Sequence, residues 1–109
     1  MNSGIIEDIE NYLEEKYGVL IALSYKKSIK AILINGIRTP PEYRNLGIGT
    51  KVLTDLCNFA DKFNLLVVLS PTKDLGGCSV QRLQSFYRRF GFNKNENPKI
   101  SETMVRYPK

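Results

Sequence analysis

The sequence predicts an α/β (α+β) fold in a single domain spanning residues 1–109. Between residues 29 and 69 an apolar run, a glycine turn, an amphipathic helix and a second apolar run follow one another. That order is typical of two parallel strands joined by a helical crossover. A length of 109 residues allows one hydrophobic core but not two. We therefore expect a mixed central sheet with three main helices.

The N-terminal third predicts a helix and a hairpin. Residues 3–17 carry apolar side chains at helical spacing, with Ser3 placed to cap the helix and Gly18 placed to end it. Residues 19–25 are apolar nearly throughout, which predicts a strand buried on both faces, and residues 29–37 predict its hairpin partner. Gly36 indicates a bulge or a close backbone approach in the second strand.

Proline, glycine and serine residues mark the ends of the remaining predicted elements. A proline pair at 40–41 ends the second strand, because proline donates no ladder hydrogen bond. The predicted elements that follow are a helix from the glycine turn to Phe63, a buried strand at 65–69 parallel to the 29–37 strand, a loop at 71–78, a helix from Ser79 to Phe90 closed by Gly91, and short strands at 92–93 and 103–107.

Composition excludes several kinds of site. Histidine is absent, so Ser-His and Cys-His nucleophiles and Cys/His zinc sites are excluded, and we expect no metal. Cys57 and Cys78 are too few for a disulfide framework and are expected to be free thiols. No apolar run approaches the roughly 20 residues of a membrane span, which favours a cytoplasmic protein with no membrane contact. The net charge of +5 fits an anionic partner, and equally fits ordinary solubility charge.

A glycine turn between the second strand and the second helix predicts an anion site. Residues 44–49 have the pattern R-x-x-G-x-G. The first amides of a helix lack intrahelical acceptors, and the helix dipole places partial positive charge at the same end. The spacing does not fit a P-loop, and Val52 stands where a dinucleotide-binding fingerprint requires its third glycine. The turn therefore favours a pyrophosphate held by backbone amides.

Two motifs together resemble the Gcn5-related N-acetyltransferases (GNAT). Residues 39–49, TPPEYRNLGIG, resemble the strand end and acyl-coenzyme A loop of that family. About forty residues on, LQSFYRRFGF at 83–92 resembles its second signature, a helix with an aromatic-Tyr pair that ends in Gly-Phe. The resemblance covers roughly residues 19–107. It implies a GNAT-like fold and an enzyme that transfers an acetyl group from acetyl-CoA to an amine acceptor by direct attack, the acceptor being a small molecule or a protein.

The resemblance also implies roles for individual residues. Tyr87 matches the tyrosine that protonates the leaving coenzyme A thiolate as general acid, although packing beside Phe86 and Phe90 would also explain it. Basic residues expected to reach the 3′-phosphate of coenzyme A are Lys51, Arg82, Arg88 or Arg89. The residues that match the cofactor-binding segments are Ile37, Arg38, Thr39, Arg44, Asn45, Leu46, Gly47, Ile48, Gly49 and Thr50.

The sequence departs from the family pattern in two places. Val80 stands where many members carry an asparagine that contacts the cofactor, seven residues before the tyrosine. The N-terminal region is also short, which implies an open acceptor side, a small acceptor, or a wall supplied by a second subunit in a homodimer. The general base is left open among Glu42, Asp74 and Glu102, with Ser70 placed to orient a water.

Two alternatives to the acetyltransferase interpretation stay open. The missing asparagine and the short N-terminus favour a non-catalytic acyl-CoA-binding or protein-interaction module. A basic set favours an acyltransferase directed at tRNA or another nucleic acid; its members are Arg82, Arg88, Arg89, Lys94 and Lys99.

Overall fold

The computed structural model describes residues 3–38, 47–71 and 80–109. The elements in these ranges match the fold class that the sequence predicts, a mixed α+β arrangement. They are α1 (Ser3–Tyr17), β1 (Leu20–Lys26), β2 (Ala31–Arg38), α2 (Ile48–Lys62), β3 (Leu66–Leu69), α3 (Val80–Arg88), β4 (Asn93–Lys94) and β5 (Met104–Arg106). No helix in these ranges is long and apolar enough to cross a lipid bilayer.

The strands form one sheet in the order β1-β2-β3-β5-β4. The expected hairpin is confirmed, because β1 and β2 pair antiparallel, and so is the expected parallel pairing of β2 with β3. β5 pairs antiparallel with both β3 and β4. The second strand starts later than predicted, because a 3₁₀ turn spans Lys27–Ile29 and Lys30 is left-handed with φ of 50°. Ile29 is therefore part of the turn and not of β2.

The larger hydrophobic core lies between the helices and one face of the sheet. Its α1 residues are Ile6, Ile9 and Leu13, its α2 residues are Val52, Leu53 and Leu56, and its sheet residues include Ile32, Ile34, Val67 and Leu69. A smaller cluster covers the opposite face, formed by Ala31, Val68, Ile100 and Val105. Neighbouring residues of one strand lie in different clusters because side chains alternate across a sheet.

β1 is an edge strand, which corrects the expectation that it is buried on both faces. Ile21 and Leu23 are buried against the helices, whereas Leu20 is 65% exposed. The outer edge of β1 is covered by α1: the Ile21 amide donates to Glu14 Oε2 at 3.1 Å, and the Leu23 amide donates to Glu10 Oε2 at 2.7 Å. These carboxylates satisfy amides that would otherwise offer an open ladder to another chain.

A partly buried ion pair joins β5 to the C-terminal end of α2. Arg106 on β5 is 4% exposed and forms a bidentate pair with Asp61 near the end of α2, at 2.9 and 3.0 Å. Arg106 Nε also donates to the Phe90 carbonyl, just beyond α3, at 2.8 Å. The hydrogen bonds from Arg106 lower the pKa of the Asp61 carboxyl. The arginine therefore fixes the C-terminal end of α3 against that of α2.

Candidate active site

The N-terminus of α2 presents backbone amides that no helical carbonyl accepts. Lys51 makes the first intrahelical bond, its amide donating to the Gly47 carbonyl at 3.2 Å. The amides of Ile48, Gly49 and Thr50 therefore precede the hydrogen-bonded ladder of the helix. The first turn holds no acidic residue that would offset the positive end of the helix dipole. This end of α2 favours an anion.

Gly47 is the N-cap residue of α2. Its φ of 73° lies in the left-handed region, where a side chain would be strained. A Cβ built on Gly47 would meet nothing within 4 Å among the described residues. Thr39, Arg44, Asn45 and Leu46, predicted from the sequence as cofactor-binding residues, lie outside the described residues.

An opening between β2 and β3 leads toward this helix end. The parallel ladder holds only three pairs, from Ala31–Leu66 to Leu33–Val68. Beyond Leu33, β2 continues to Arg38 while still pairing with β1. A register shift opposite Ala22 and Leu23 leaves Asn35 as an extra residue in β2, which confirms the bulge expected near Gly36. Among the described residues, the edge of β2 around Ile37 and Arg38 therefore has no strand partner on the β3 side.

Tyr87 lies in α3 inside an aromatic cluster. It is 3% exposed, and its ring makes edge contacts with Phe86 and Phe92 at centroid distances of 5.4 and 5.5 Å. Burial raises the pKa of Tyr87 to about 12. Among the described residues, no buried side-chain oxygen or nitrogen atom lacks a hydrogen-bond partner. Core packing therefore accounts for the burial of the Tyr87 ring.

Phe86 joins α2 to the helix that carries Tyr87. A Cβ built on Gly49 would lie 3.5 Å from Phe86 Cζ, so the two helices approach closely at the one residue. Phe86 also contacts Phe90 at 5.1 Å and lies under Arg89, whose guanidinium carbon is 5.9 Å from the ring centroid. The two motifs that the sequence singled out, one in each helix, therefore meet in the structure.

Basic residues of α3 and of the turn that follows it line two different grooves. Arg82 in α3 and Arg89 just beyond it share a groove of about 400 Å³ with Phe86, the residue that approaches the Gly49 position of α2. Arg88 lines a second groove with Lys94, on the side of α3 that faces β4 and β5. Arg82 and Arg89 therefore lie on the side of Phe86, whereas Arg88 does not.

The candidate bases that lie in the described ranges are engaged in other contacts. Desolvation opposes ionisation of Glu102, but hydrogen bonds from Lys26, at 3.0 Å to both carboxylate oxygens, lower its pKa. A carboxylate held in this way is a poor base. Ser70 Oγ accepts a hydrogen bond from the Thr103 amide at 3.2 Å. Glu42 and Asp74 lie outside the described residues.

Sequence reasoning missed the residues that hold the site in place. Arg106 and the two α1 glutamates are ordinary charged residues in the sequence, and no motif marks them. Their partners are 45, 13 and 7 residues away along the chain. The one feature of the sequence that could have indicated a structural role for Arg106 is its place between apolar residues in the last strand.

Comparison of the fold with solved structures finds several similar chains, including the following three. The anti-CRISPR protein AcrVA5 has a TM-score of 0.62 and 18% identity, over 78% of this chain and 85% of that one. A protein from Bacteroides thetaiotaomicron described as a GNAT-family acetyltransferase has a TM-score of 0.54 and 20% identity, over 82% and 54%. The GNAT-family N-acetyltransferase YhbS from Escherichia coli, solved with CoA, has a TM-score of 0.52 and 14% identity, over 92% and 67%.

The chain has a GNAT-like fold. Its sequence matches no protein-family model and no curated protein, so the likeness is one of structure. The chain spans about half of the Bacteroides protein, 54% of its length. The GNAT-like fold that the two motifs predicted is confirmed in the described residues by the strand order and the three helices.

Proposed function

We propose that the protein is an N-acetyltransferase that moves an acetyl group from acetyl-CoA to an amine. The observation that carries this proposal is the 3.5 Å approach of the Gly49 Cβ position to Phe86. It places the helix of Tyr87 directly against the helix end whose amides lack acceptors. The proposed anion site and the helix that carries the buried phenol are therefore in contact, and this supports the proposal together with the likeness of the fold to an N-acetyltransferase solved with CoA.

The donor substrate would be held largely by backbone groups. The amides of Ile48, Gly49 and Thr50, extended by Arg44, Asn45, Leu46 and Gly47, would bind its pyrophosphate. The edge of β2 at Ile37 and Arg38, which has no described strand partner on the β3 side, would hydrogen-bond the pantetheine arm as an added strand does, and Thr39 would extend this contact. Arg82 and Arg89 line the groove on the side of Phe86 and would meet the 3′-phosphate.

The chemistry is a direct transfer. The neutral amine attacks the thioester carbonyl carbon; the new N–C bond forms, the C–S bond breaks, and sulfur leaves with the electron pair. The proton that the amine loses passes to water, and the thiolate takes one proton. A backbone amide near Ile37 to Thr39 would polarise the carbonyl oxygen.

Tyr87 would serve as the general acid for the thiolate. Its pKa of about 12 lies about 3.5 units above that of an ordinary thiol near 8.5, so complete transfer from a resting phenol would cost about 5 kcal/mol. The phenol therefore stays protonated throughout the neutral range. It acts by donating a hydrogen bond to the sulfur as negative charge develops there, and the transfer is completed as the C–S bond breaks.

The test combines turnover and binding. Free-thiol release from acetyl-CoA is measured across a panel of amines and proteins, alongside the thermal shift caused by acetyl-CoA. We expect turnover in the wild type, and loss of roughly 10²- to 10⁴-fold in Tyr87→Phe with acetyl-CoA binding retained. Equal turnover in Tyr87→Phe refutes the acid role. Binding without turnover on any acceptor favours the non-catalytic module instead.

Similarity to an anti-CRISPR protein supports a second candidate function, interference with CRISPR. The likeness to AcrVA5 extends over 78% of this chain and 85% of that one. The test is survival of a CRISPR-targeted plasmid in cells that express this protein or its Tyr87→Phe variant. Survival with the wild type but not with the variant would link interference with CRISPR to acetylation of a protein. If the plasmid survives with neither protein, the second candidate function is refuted.

A further inference from the structure

We propose that the groove between α3 and the β4–β5 hairpin is the acceptor site, and that it selects an amine bearing a carboxylate or phosphate. This rests on the proposed acetyltransferase function. The groove, called the hairpin groove below, has a volume of about 530 Å³, within the range of ligand pockets. Its polar lining comes from Gln84, Arg88, Lys94, Asn95, Glu102 and Thr103.

The hairpin groove begins at the strand end that the acetyl group would reach. Met104, in its wall, pairs with Leu69, the last residue of β3. The Thr103 amide donates to Ser70 Oγ, which continues the contact past the end of β3. The opening between β2 and β3 lies on the other side of this strand. A ligand in the hairpin groove therefore approaches the end of β3 from the side opposite the proposed donor.

The helix of Tyr87 forms one wall of the hairpin groove. Gln84 and Arg88 are four residues apart, so they share one side of α3. Tyr87 precedes Arg88 and lies three residues beyond Gln84, next to this side. The arginine groove that would hold the donor uses the remaining exposed side of the same helix. Donor and acceptor would thus flank the Tyr87 helix.

The charge balance of the hairpin groove is positive. Arg88 and Lys94 are exposed, and neither forms an ion pair with a described residue. Among the described lining residues the acidic one is Glu102, which is ion-paired with Lys26 at 3.0 Å and accepts a hydrogen bond from the Ser101 hydroxyl at 3.2 Å. Two cations on facing walls repel a polyamine or a lysine-rich peptide and attract an anion.

The hairpin wall is rigid before any ligand arrives. The Asn95 side-chain amide donates to three backbone carbonyls of the β4–β5 loop: Asn97 at 3.3 Å, Ile100 at 2.7 Å and Glu102 at 2.8 Å. The Asn95 carbonyl oxygen accepts the Asn97 amide at 2.8 Å. A loop tied in this way holds Lys94 and Thr103 in place, so binding loses little conformational entropy.

Matched pairs of amines test the selectivity. O-phosphoethanolamine is compared with ethanolamine, and 4-aminobutyrate with butylamine, by calorimetry and by free-thiol release with acetyl-CoA. The variants are Arg88→Gln/Lys94→Gln and, as the control, Lys99→Gln, which removes an exposed charge from the same hairpin outside the groove lining. We expect the anionic member of a pair to bind at least about tenfold more tightly, as one charge-assisted hydrogen bond provides. The double variant should lose this advantage and the control should keep it.

Each outcome decides the proposal. Equal affinity within both pairs overturns it, as does a preference that survives the double variant or is lost in the control. A preference confined to one pair identifies phosphate or carboxylate as the anion. Groove-dependent binding without thiol release keeps the site and refutes the transferase function, whereas equal turnover of all four amines keeps the function and refutes the selectivity. Retention on single-stranded RNA that the double variant loses assigns the two cations to nucleic acid and overturns the proposal.

Discussion

The close approach of Gly49 to Phe86, where the two motifs meet, predicts how substitutions at Gly49 change stability and turnover. A Cβ at position 49 would lie 3.5 Å from Phe86 Cζ, an ordinary van der Waals distance. Gly49 lies in α2 and its φ is not positive. Gly49→Ala should therefore fit, with stability unchanged or raised by up to about 1 kcal/mol through helix propensity. It should also retain acetyl-CoA binding.

Gly49→Val should behave differently because its branched methyl groups extend beyond the Cβ into the Phe86 ring. Overpacking of this kind costs about 1–3 kcal/mol. Phe86 would be displaced, and Tyr87 with it. The loss of turnover should therefore exceed the loss that the lower stability alone would cause. Substituting Phe86→Leu in the valine background should restore room, whereas the same change in the wild type opens a cavity and destabilises.

Urea unfolding of the four proteins in this double-mutant cycle gives the coupling free energy, and thiol release gives the accompanying rates. The structure predicts favourable coupling of about 1 kcal/mol or more between the valine and leucine substitutions. Equal stability of the alanine and valine variants, or additive effects in the cycle, would show that α2 and α3 do not meet at this residue.

Three further perturbations follow from the described contacts. Because burial raises the pKa of Tyr87 from 10 to about 12, the folded state keeps a proton that the unfolded state loses. Stability relative to Tyr87→Phe should therefore fall by about 2 kcal/mol between pH 10 and 12, measured by urea unfolding, and a constant difference would contradict this. Arg106→Ala removes the bidentate partner of Asp61, whose side chain is 26% exposed and still accepts the Lys109 amide, and should cost about 1.5–3 kcal/mol in the same assay; a loss below about 0.5 kcal/mol would contradict a stabilising pair. Glu10→Ala should speed hydrogen exchange at the Leu23 amide and cost about 1–3 kcal/mol, with Glu10→Gln, which keeps an acceptor, close to wild type.

Local patterns in the sequence predicted the parts of the fold that depend on nearby residues. The glycine turn, the hairpin and the parallel order of the 29–37 and 65–69 strands follow from turn chemistry and apolar runs, and the structure confirms the pairings. Gly18 ends α1 as expected, with φ of 68°. These features need no knowledge of distant contacts.

The errors come from tertiary context. The apolar run at 19–25 gave no sign that its strand would be an edge strand with Leu20 exposed. α3 ends at Arg88, two residues before the predicted end. The burial of Tyr87 was foreseen as packing, but its raised pKa depends on Phe86 and Phe92 surrounding the ring.

The central claim is that acetyl-CoA binds at the start of α2, along the open edge of β2. Backbone amide chemical shifts of the ¹⁵N-labelled protein, followed as acetyl-CoA is added, test it directly. We expect the largest chemical-shift changes at the amides of Ile48, Gly49 and Thr50, with smaller changes at Ile37 and Arg38. No saturable change, or changes confined to residues elsewhere in the chain, would contradict it.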